Sequence, residues 1–470
     1  MHAGWKRETL PAAVLAAAAA ILAYQLFIPP IVGLAVQGDF VRTIGRFGWG
    51  PQHHGSLEYV YVEPKYVPDS HYRSPEWEQA NTEYLFVGAA LLVNRLVSKD
   101  GTLDITMAGV IHALALLLAL GRLLWVTRHE RARAVLWIGA LVVLTDAGYA
   151  VYLNSWYAEP ASCVFLLLVL AEGVAIGRAV VANWVNLLSW SVWGFLWVFA
   201  KPQNTPIGLL LGLFTLRMMW WTSSRATRVV AVAGACAMFG CVVYNIAAMP
   251  RVGHMANTYG MIFNGILPES KDPAADLRAL GLDPSLARYS GTGAWTPKTA
   301  FPDLAKSAVL QRQVSTFTIL RFYLVRPARF WRHLHGVLPK ITYLRSSWYG
   351  NFEPSAGLPA AAQSQAFTLW SGLHERILPA VNKWLVFALA CCPLAAVWRW
   401  RGARNAAERR RLELVTLLPV LCLAALLGAV FGDAFDLIKH MFLFNLLLDA
   451  CLLYAAAAGW NWLASRRTAH

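Results

Sequence analysis

Charge is scarce in this 470-residue sequence: 14% of residues are Asp, Glu, Lys or Arg, while 57% are hydrophobic. Soluble domains carry about 25% charged residues, so a water-soluble globular fold is excluded. Catalytic signatures are also scarce. No GxxxxGK[ST] or GxGxxG opens a helix, which removes the usual phosphate cradles of nucleotide-binding domains. No HExxH is present to hold zinc, and no N-x-S/T sequon occurs. The seven cysteines (Cys163, Cys236, Cys241, Cys391, Cys392, Cys422 and Cys451) all lie in or beside apolar runs. That excludes a disulfide framework or a CxxC metal site and leaves apolar packing as their role.

What the sequence does contain is long apolar runs and an excess of base. Mean hydropathy is +0.45, and the chain reads as an all-α polytopic membrane protein forming one membrane domain over 1–470. Lys and Arg number 41 against 26 acids, a net charge of +15. In a membrane protein this marks cytoplasmic loops and contacts to anionic lipid rather than nucleic acid.

A hydrocarbon core of ~30 Å needs about 20 apolar helical residues. The runs at 11–36, 104–126, 134–153, 160–180, 184–200, 205–222, 229–249, 380–398, 412–432 and 437–463 predict about ten transmembrane helices. Lys6 and Arg7 precede the first, which reads as a span and not a cleaved signal. Pro29-Pro30 should distort its upper part. The Arg clusters around 122–133, at 178, around 217–228, at 399–411 and at 466–467 then fall on one side. Both termini are expected in the cytoplasm.

The run from Tyr84 to Val97 is apolar but has only 14 residues. If it spanned, every later loop would change sides and the Arg clusters would face outward. It is therefore expected to lie on the outer surface, in a helix starting at Ser74 as N-cap, with Pro75, Glu76 and Glu78 in its first turn. Two large segments, 37–103 and 250–379, face outward on this reading. No inward segment is long enough to form a domain for ATP or a sugar nucleotide. The donor of any reaction must come from the membrane or from outside.

Polar and aromatic groups gather in the short outer joints. The first joint carries Asp39 and Arg42. The second, YLNSWYAEP, carries Asn154, Tyr157 and Glu159; the third, KPQN, carries Lys201, Gln203 and Asn204. In the fourth, Asp436, Lys439 and His440 share one helix face at i, i+3 and i+4. At a low-dielectric rim the pKa of Asp39 is expected to rise, which suits a general base. Lys201, Lys439 and His440 suit phosphate, while Asn154, Tyr157 and Glu159 suit sugar hydroxyls. The competing roles are structural: an aromatic belt at Trp156 and Tyr157, a helix-dipole partner in Glu159, a snorkelling Lys201 and a local ion pair on the fourth joint.

In the second outer segment, an amphipathic helix is expected from Pro327. Phe330, Leu334, Val337 and Leu338 form its apolar stripe; Arg329, Arg332 and His333 form a basic face that could meet lipid phosphates. Within the spans, Asp146, Asp449, Glu172 and His112 are buried polar candidates.

This pattern resembles the GT-C class of integral membrane glycosyltransferases, which use polyprenyl-phosphate-linked sugars. The likeness rests on the inward N-terminus, Asp39 after the first span, the surface helix in the first outer loop and a second long outer loop after the seventh span. YLNSWYAEP, KPQN, WYGNFE (Trp348 to Glu353) and KHMFLFN (Lys439 to Asn445) are similar to segments of bacterial GT-C-like hexosyltransferases of cell-surface and S-layer glycan assembly. The resemblance implies that Asp39 is the general base. It implies an inverting transfer of a hexose to a glycan or lipid-linked acceptor on the outer face of a bacterial plasma membrane. Lys201, Lys439, His440 or the Arg329–Arg332 face would meet the donor phosphate. No cofactor is implied beyond a divalent cation, and for that Glu159 alone is a thin ligand set. The alternatives are a lipid or glycan flippase or transporter, and a glycan polymerase or ligase using a pyrophosphate-linked glycan. A transporter needs polar groups through the full depth of the bilayer, and the inner half of these spans is largely apolar.

Overall fold

The computed structural model describes residues 2–53, 55, 57–179, 183–307, 310 and 314–467; the side chains of Lys6 and Arg7 lie outside the described part. Each of the ten apolar runs is mainly helical, though 134–153 and 437–463 each divide into two helices. In chain order the helices are α1 (His2–Phe27), α2 (Glu83–Val97), α3 (Ile105–Thr127), α4 (Arg133–Leu144), α5 (Ala147–Ala150), α6 (Glu159–Arg178), α7 (Trp184–Ala200), α8 (Thr205–Met218) and α9 (Arg225–Ala247). The second outer segment adds α10 (Arg251–Tyr259), α11 (Pro273–Ala279), α12 (Phe301–Lys306), α13 (Thr316–Leu324), α14 (Pro327–Val337) and α15 (Leu369–Arg376). The chain ends with α16 (Asn382–Arg401), α17 (Ala406–Gly432), the short α18 (Leu437–His440) and α19 (Phe442–Arg467).

Among the described residues, seven helices, α1, α3, α6, α9, α16, α17 and α19, are long and apolar enough to cross a membrane; α4 and the segment 147–153, bent by 56°, make an eighth if they are one broken span. The other two expected spans are shorter. With 17 and 14 residues, α7 and α8 reach about 25 and 21 Å. Prolines set their ends: Pro202 follows α7 and Pro206 sits in the first turn of α8. The first span also ends earlier than its hydropathy suggests, at Phe27, just before Pro29-Pro30.

Starts are set by side-chain caps. Asp104 accepts from the Thr106 amide before α3, Ser224 from Thr227 before α9, and Asn405 from Glu408 before α17. The surface helix departs from expectation. Pro75–Trp77 is an isolated 3-10 turn, Ser74 caps nothing with its side chain, and α2 begins at Glu83. Its polar anchor explains the shift: buried Glu83 accepts from Nε2 of His112 on α3 at 2.7 Å. Leu85, Leu92 and Leu96 remain exposed along the other face of α2.

The most buried span is α6, which packs against α3 and α7. Glycines let α7, α8 and α9 approach closely, as small residues do between membrane helices. A Cβ on Gly208 would stand 2.5 Å from Val198 Cγ1 and 2.8 Å from Val242 Cγ2. The Arg-rich joints gather at one end of the bundle. There Arg178 pairs with Glu130 at 3.4 Å, Arg217 with Glu413 at 2.8 Å, and Arg411 Nε donates to Gly177 O at 3.1 Å.

At the opposite end, two small sheets knit the outer segments to the bundle. Strand β1 (Val32–Leu34) pairs antiparallel with β5 (Tyr349–Phe352). Between them in sequence, β2 (Trp49–Pro51), β3 (Lys65–Pro68) and β4 (Leu103–Asp104) form a three-stranded antiparallel sheet. The second outer segment has its own apolar core, built from Met255 to Tyr323 around Tyr259, Phe263 and Phe301. It docks on the end of α17 opposite the Arg-rich joints, where Phe330 stacks on Phe431 with ring centroids 4.8 Å apart.

Candidate active site at the bundle mouth

The segment between α1 and the first outer loop is held by three neighbours. The Ile31 amide donates to Glu353 Oε1 at 3.0 Å, Ala35 to Trp348 O at 3.1 Å, and Val36 to Tyr61 O at 2.9 Å. These bonds aim the 3-10 turn Gly38–Arg42, and Asp39 in its first turn, at α18. The WYGNFE motif thus serves as the strand that fixes the approach to Asp39.

Asp39 lies between two cations. Its Oδ1 is 3.0 Å from Arg42 Nη2, and its Oδ2 accepts from Lys439 Nζ. Lys439 also faces Asp436 at 3.9 Å and lies 4.9 Å from the ring centroid of Tyr157. The Tyr157 hydroxyl donates to Gln37 Oε1. Beside this group, His440 is 3.4 Å from Asp433, and its carbonyl accepts from Gln203 Nε2 at 2.5 Å. Lys201 pairs with buried Glu159. Tertiary folding therefore brings Asp39, Arg42, Tyr157, Glu159, Lys201, Gln203, Lys439 and His440 from four separate joints to one mouth.

The electrostatics overturn one expectation. Burial pushes the Asp39 carboxyl up, but the charges of Arg42 and Lys439 and the Lys439 hydrogen bond outweigh it and hold its pKa well below the ordinary carboxylate range. Asp436 goes the other way: burial raises it, and Lys439 and His440 only partly compensate. For Lys439, burial opposes the charge, while Asp39 and Asp436 outweigh it and raise its pKa above the ordinary value.

Four expected ligand groups are engaged elsewhere or lie on the outer segment. Asn154 is fully buried and donates to Leu26 O and Val32 O, both at 2.9 Å, so it joins the end of α1 to β1. Asn204, also buried, donates to Trp197 O at 2.7 Å and closes the turn after α7. Arg329 pairs with Asp276 at 3.0 Å and donates to Ile266 O at 2.8 Å, inside the second outer segment. Arg332 is exposed on α14, but His333, expected on the same basic face, is buried against Glu269 at 2.8 Å. The apolar stripe of α14 is turned partly toward α17 rather than wholly toward lipid, because Phe431 offers it a stacking partner.

Gln37, Tyr59 and Asp433 escaped the sequence reading. Gln37 and Asp433 are short polar neighbours of expected groups. Tyr59 sits in a loop without a recognisable motif, and only its backbone, with φ of +58°, sets it apart. Among the described residues, no three His, Cys, Asp or Glu side chains group as a metal site.

Asp146 and Asp449 tie the bundle to the second outer segment, while Glu172 joins α6 to α3. Asp146 caps Gly148 at 2.8 Å and accepts from the Trp370 amide at 2.7 Å, at the start of α15. Asp449 accepts from Tyr149 at 2.6 Å and His374 Nε2 at 2.8 Å. Glu172 pairs with Arg122 at 2.9 Å.

The sequence profile of the YfdI N-terminal transmembrane domain matches residues 5–469. The chain belongs to this family. With a family of transmembrane domains and at least seven membrane-length helices, it is a multi-pass membrane protein. Two solved structures of the Archaeoglobus fulgidus oligosaccharyltransferase are similar at 13% identity. One is AglB in complex with an inhibitory peptide and a dolichol-phosphate, with a TM-score of 0.39, covering 98% of this chain and 52% of that one. The other is the apo form, with a TM-score of 0.43, covering 99% and 52%. The chain spans about half the length of those structures. A comparison with curated proteins found no match.

Proposed function

We propose that this chain is a membrane glycosyltransferase of the GT-C kind. It moves a hexose from a polyprenyl-phosphate donor to a glycan or lipid-linked acceptor at the bundle mouth. That mouth is assigned to the outer face of a bacterial plasma membrane, because the Arg-rich joints lie at the other end. The observation that carries the reading is Asp39, an ionised carboxylate shared between Arg42 and Lys439 where the bundle meets both outer segments.

In the reaction, Asp39 takes the proton of an acceptor hydroxyl. The acceptor oxygen forms a bond to the anomeric carbon from one side. The bond from that carbon to the phosphate oxygen breaks on the other, and polyprenyl phosphate leaves with the electron pair, inverting the centre. The leaving group is already a stable anion, so positioning and charge stabilisation are the main demands. Lys439 links the two halves of the chemistry. Lys439 leans on Asp39 and keeps that carboxylate a weak base. An incoming phosphate offers Lys439 a second anion, relaxes its hold on Asp39 and raises the basicity of Asp39 when the substrate is in place. Arg42, Lys201 and His440 supply the remaining charge. Glu172 and Asp449, deep in the bundle, are paired in place, which favours surface chemistry over a transport path.

The test is transfer by purified protein in detergent from radiolabelled polyprenyl-phosphate hexoses to glycan and lipid-linked acceptors. Wild type should move label, and Asp39→Asn should lower the rate by at least about 100-fold, the lower range for loss of a general base. Full activity in Asp39→Asn, or no transfer from any donor by folded wild type, would remove the proposal.

A further inference from the structure

Two aromatic pairs adjoin Asp39, and each takes one residue from each outer segment. In the first, Trp77 stands 5.8 Å from Trp295, and the Arg42 guanidinium lies over the Trp77 ring at 4.7 Å. In the second, Tyr59 meets Trp348 edge to face at 5.6 Å. Their rings are not simply core. Trp295 is 60% exposed and Tyr59 is 49% exposed, although large aromatics lower the free energy by leaving water.

Tyr59 also holds a left-handed backbone, φ +58°, a conformation that is strained for a bulky residue. Its amide is fixed on Val36 O at 2.9 Å, three residues before Asp39. Two donors nearby lack acceptors: Arg42 Nε–H and the Trp348 indole N–H are buried and find none among the described residues. Exposed flat rings with adjacent unsatisfied donors fit a ligand that presents C–H faces and hydroxyl oxygens together. That ligand class is carbohydrate.

We infer that the Trp77–Trp295 and Tyr59–Trp348 pairs form an acceptor subsite for a neutral glycan, held along the seam where the two outer segments meet beside Asp39. This rests on the glycosyl-transfer reading and specifies its acceptor as a chain of sugar rings instead of a lipid alone. Hexose faces stack on the exposed rings of Trp295 and Tyr59, while the part-exposed Arg42 guanidinium donates to hydroxyls. A glycan lying across this seam would also exclude water around the reacting oxygen.

The test needs no donor. Saturation-transfer NMR would be recorded on full-length protein in detergent with neutral hexose and deoxyhexose oligosaccharides, and affinities measured by calorimetry. Wild type and Asp39→Asn should both bind, with the strongest transfer to sugar ring C–H protons. Trp295→Ala and Tyr59→Ala should each weaken binding about tenfold, from the loss of one aromatic contact, and Trp295→Phe should restore most of it. If wild type binds none of these glycans, or if both alanine variants bind as wild type does, the subsite is wrong. Glycan binding with no transfer from any polyprenyl-phosphate hexose would sink the transferase reading and leave the subsite standing.

Discussion

Shared ownership of Asp39 by two cations makes a quantitative prediction. Charges about 4 Å apart attract by about 4 kcal/mol at an effective dielectric of 20, but desolvation opposes much of that. Exposure decides how much survives. The Lys439 side chain is 10% exposed and Asp39 25%, so their coupling should fall between exposed and buried ion pairs, at about 2 kcal/mol. Arg42 is 43% exposed, and its coupling to Asp39 should stay below about 1 kcal/mol. Two double-mutant cycles measure this, with Asp39→Asn, Lys439→Met, Arg42→Met and both doubles. Unfolding would be driven by SDS in mixed micelles at neutral pH and followed by tryptophan fluorescence. Asp39→Asn alone should be mild, because Lys439 keeps Asp436 and the Tyr157 ring. Lys439→Met should cost more, since it leaves a partly buried carboxylate with only the exposed Arg42. A Lys439 coupling no larger than that of Arg42 would refute this reasoning and the role given to Lys439 in controlling Asp39.

Asn154→Ala should destabilise the protein by about 2–4 kcal/mol, because two buried carbonyls, Leu26 O and Val32 O, lose their donor together; a loss of glycan affinity at unchanged stability would show instead that Asn154 binds substrate. Gly109→Ala should be similarly harmful by about 1–3 kcal/mol, since its Cβ would lie 2.1 Å from Asn154 Oδ1; unfolding of both variants beside wild type checks it. His374 gives a pH signature. Burial disfavours its charge, but Asp449 and the hydrogen bonds to Asp449 and Thr342 outweigh that and raise its pKa. Its contribution is therefore complete below the unfolded value of about 6.5 and is lost as pH rises through the higher folded value. Wild type should lose stability across that window relative to His374→Gln, and parallel pH profiles for the two would contradict it.

The sequence by itself determined what one-dimensional chemistry can determine. Twenty-residue apolar runs have few fates other than membrane helices, and the Arg clusters sorted their ends, so the positions of the ten helices were legible. Asp39, Lys439 and His440 were legible because they stand at the ends of apolar runs opposite the Arg clusters. Local backbone chemistry then corrected the details. Pro29-Pro30, Pro202 and Pro206 mark the helix ends near them, and α2 starts late because Glu83 is anchored by His112. The tertiary structure alone decided which polar residues meet. Asn154 and Tyr157 are three residues apart in one motif, yet the first faces backbone carbonyls of α1 and β1 while the second lies under Lys439. Lys439 reaches Asp39 across 400 positions of chain, and no periodicity encodes that distance. The direction of the Asp39 pKa followed from the same fact. Burial alone would raise it; Arg42 stands three residues away in the sequence, but only folding brings up the second cation, Lys439.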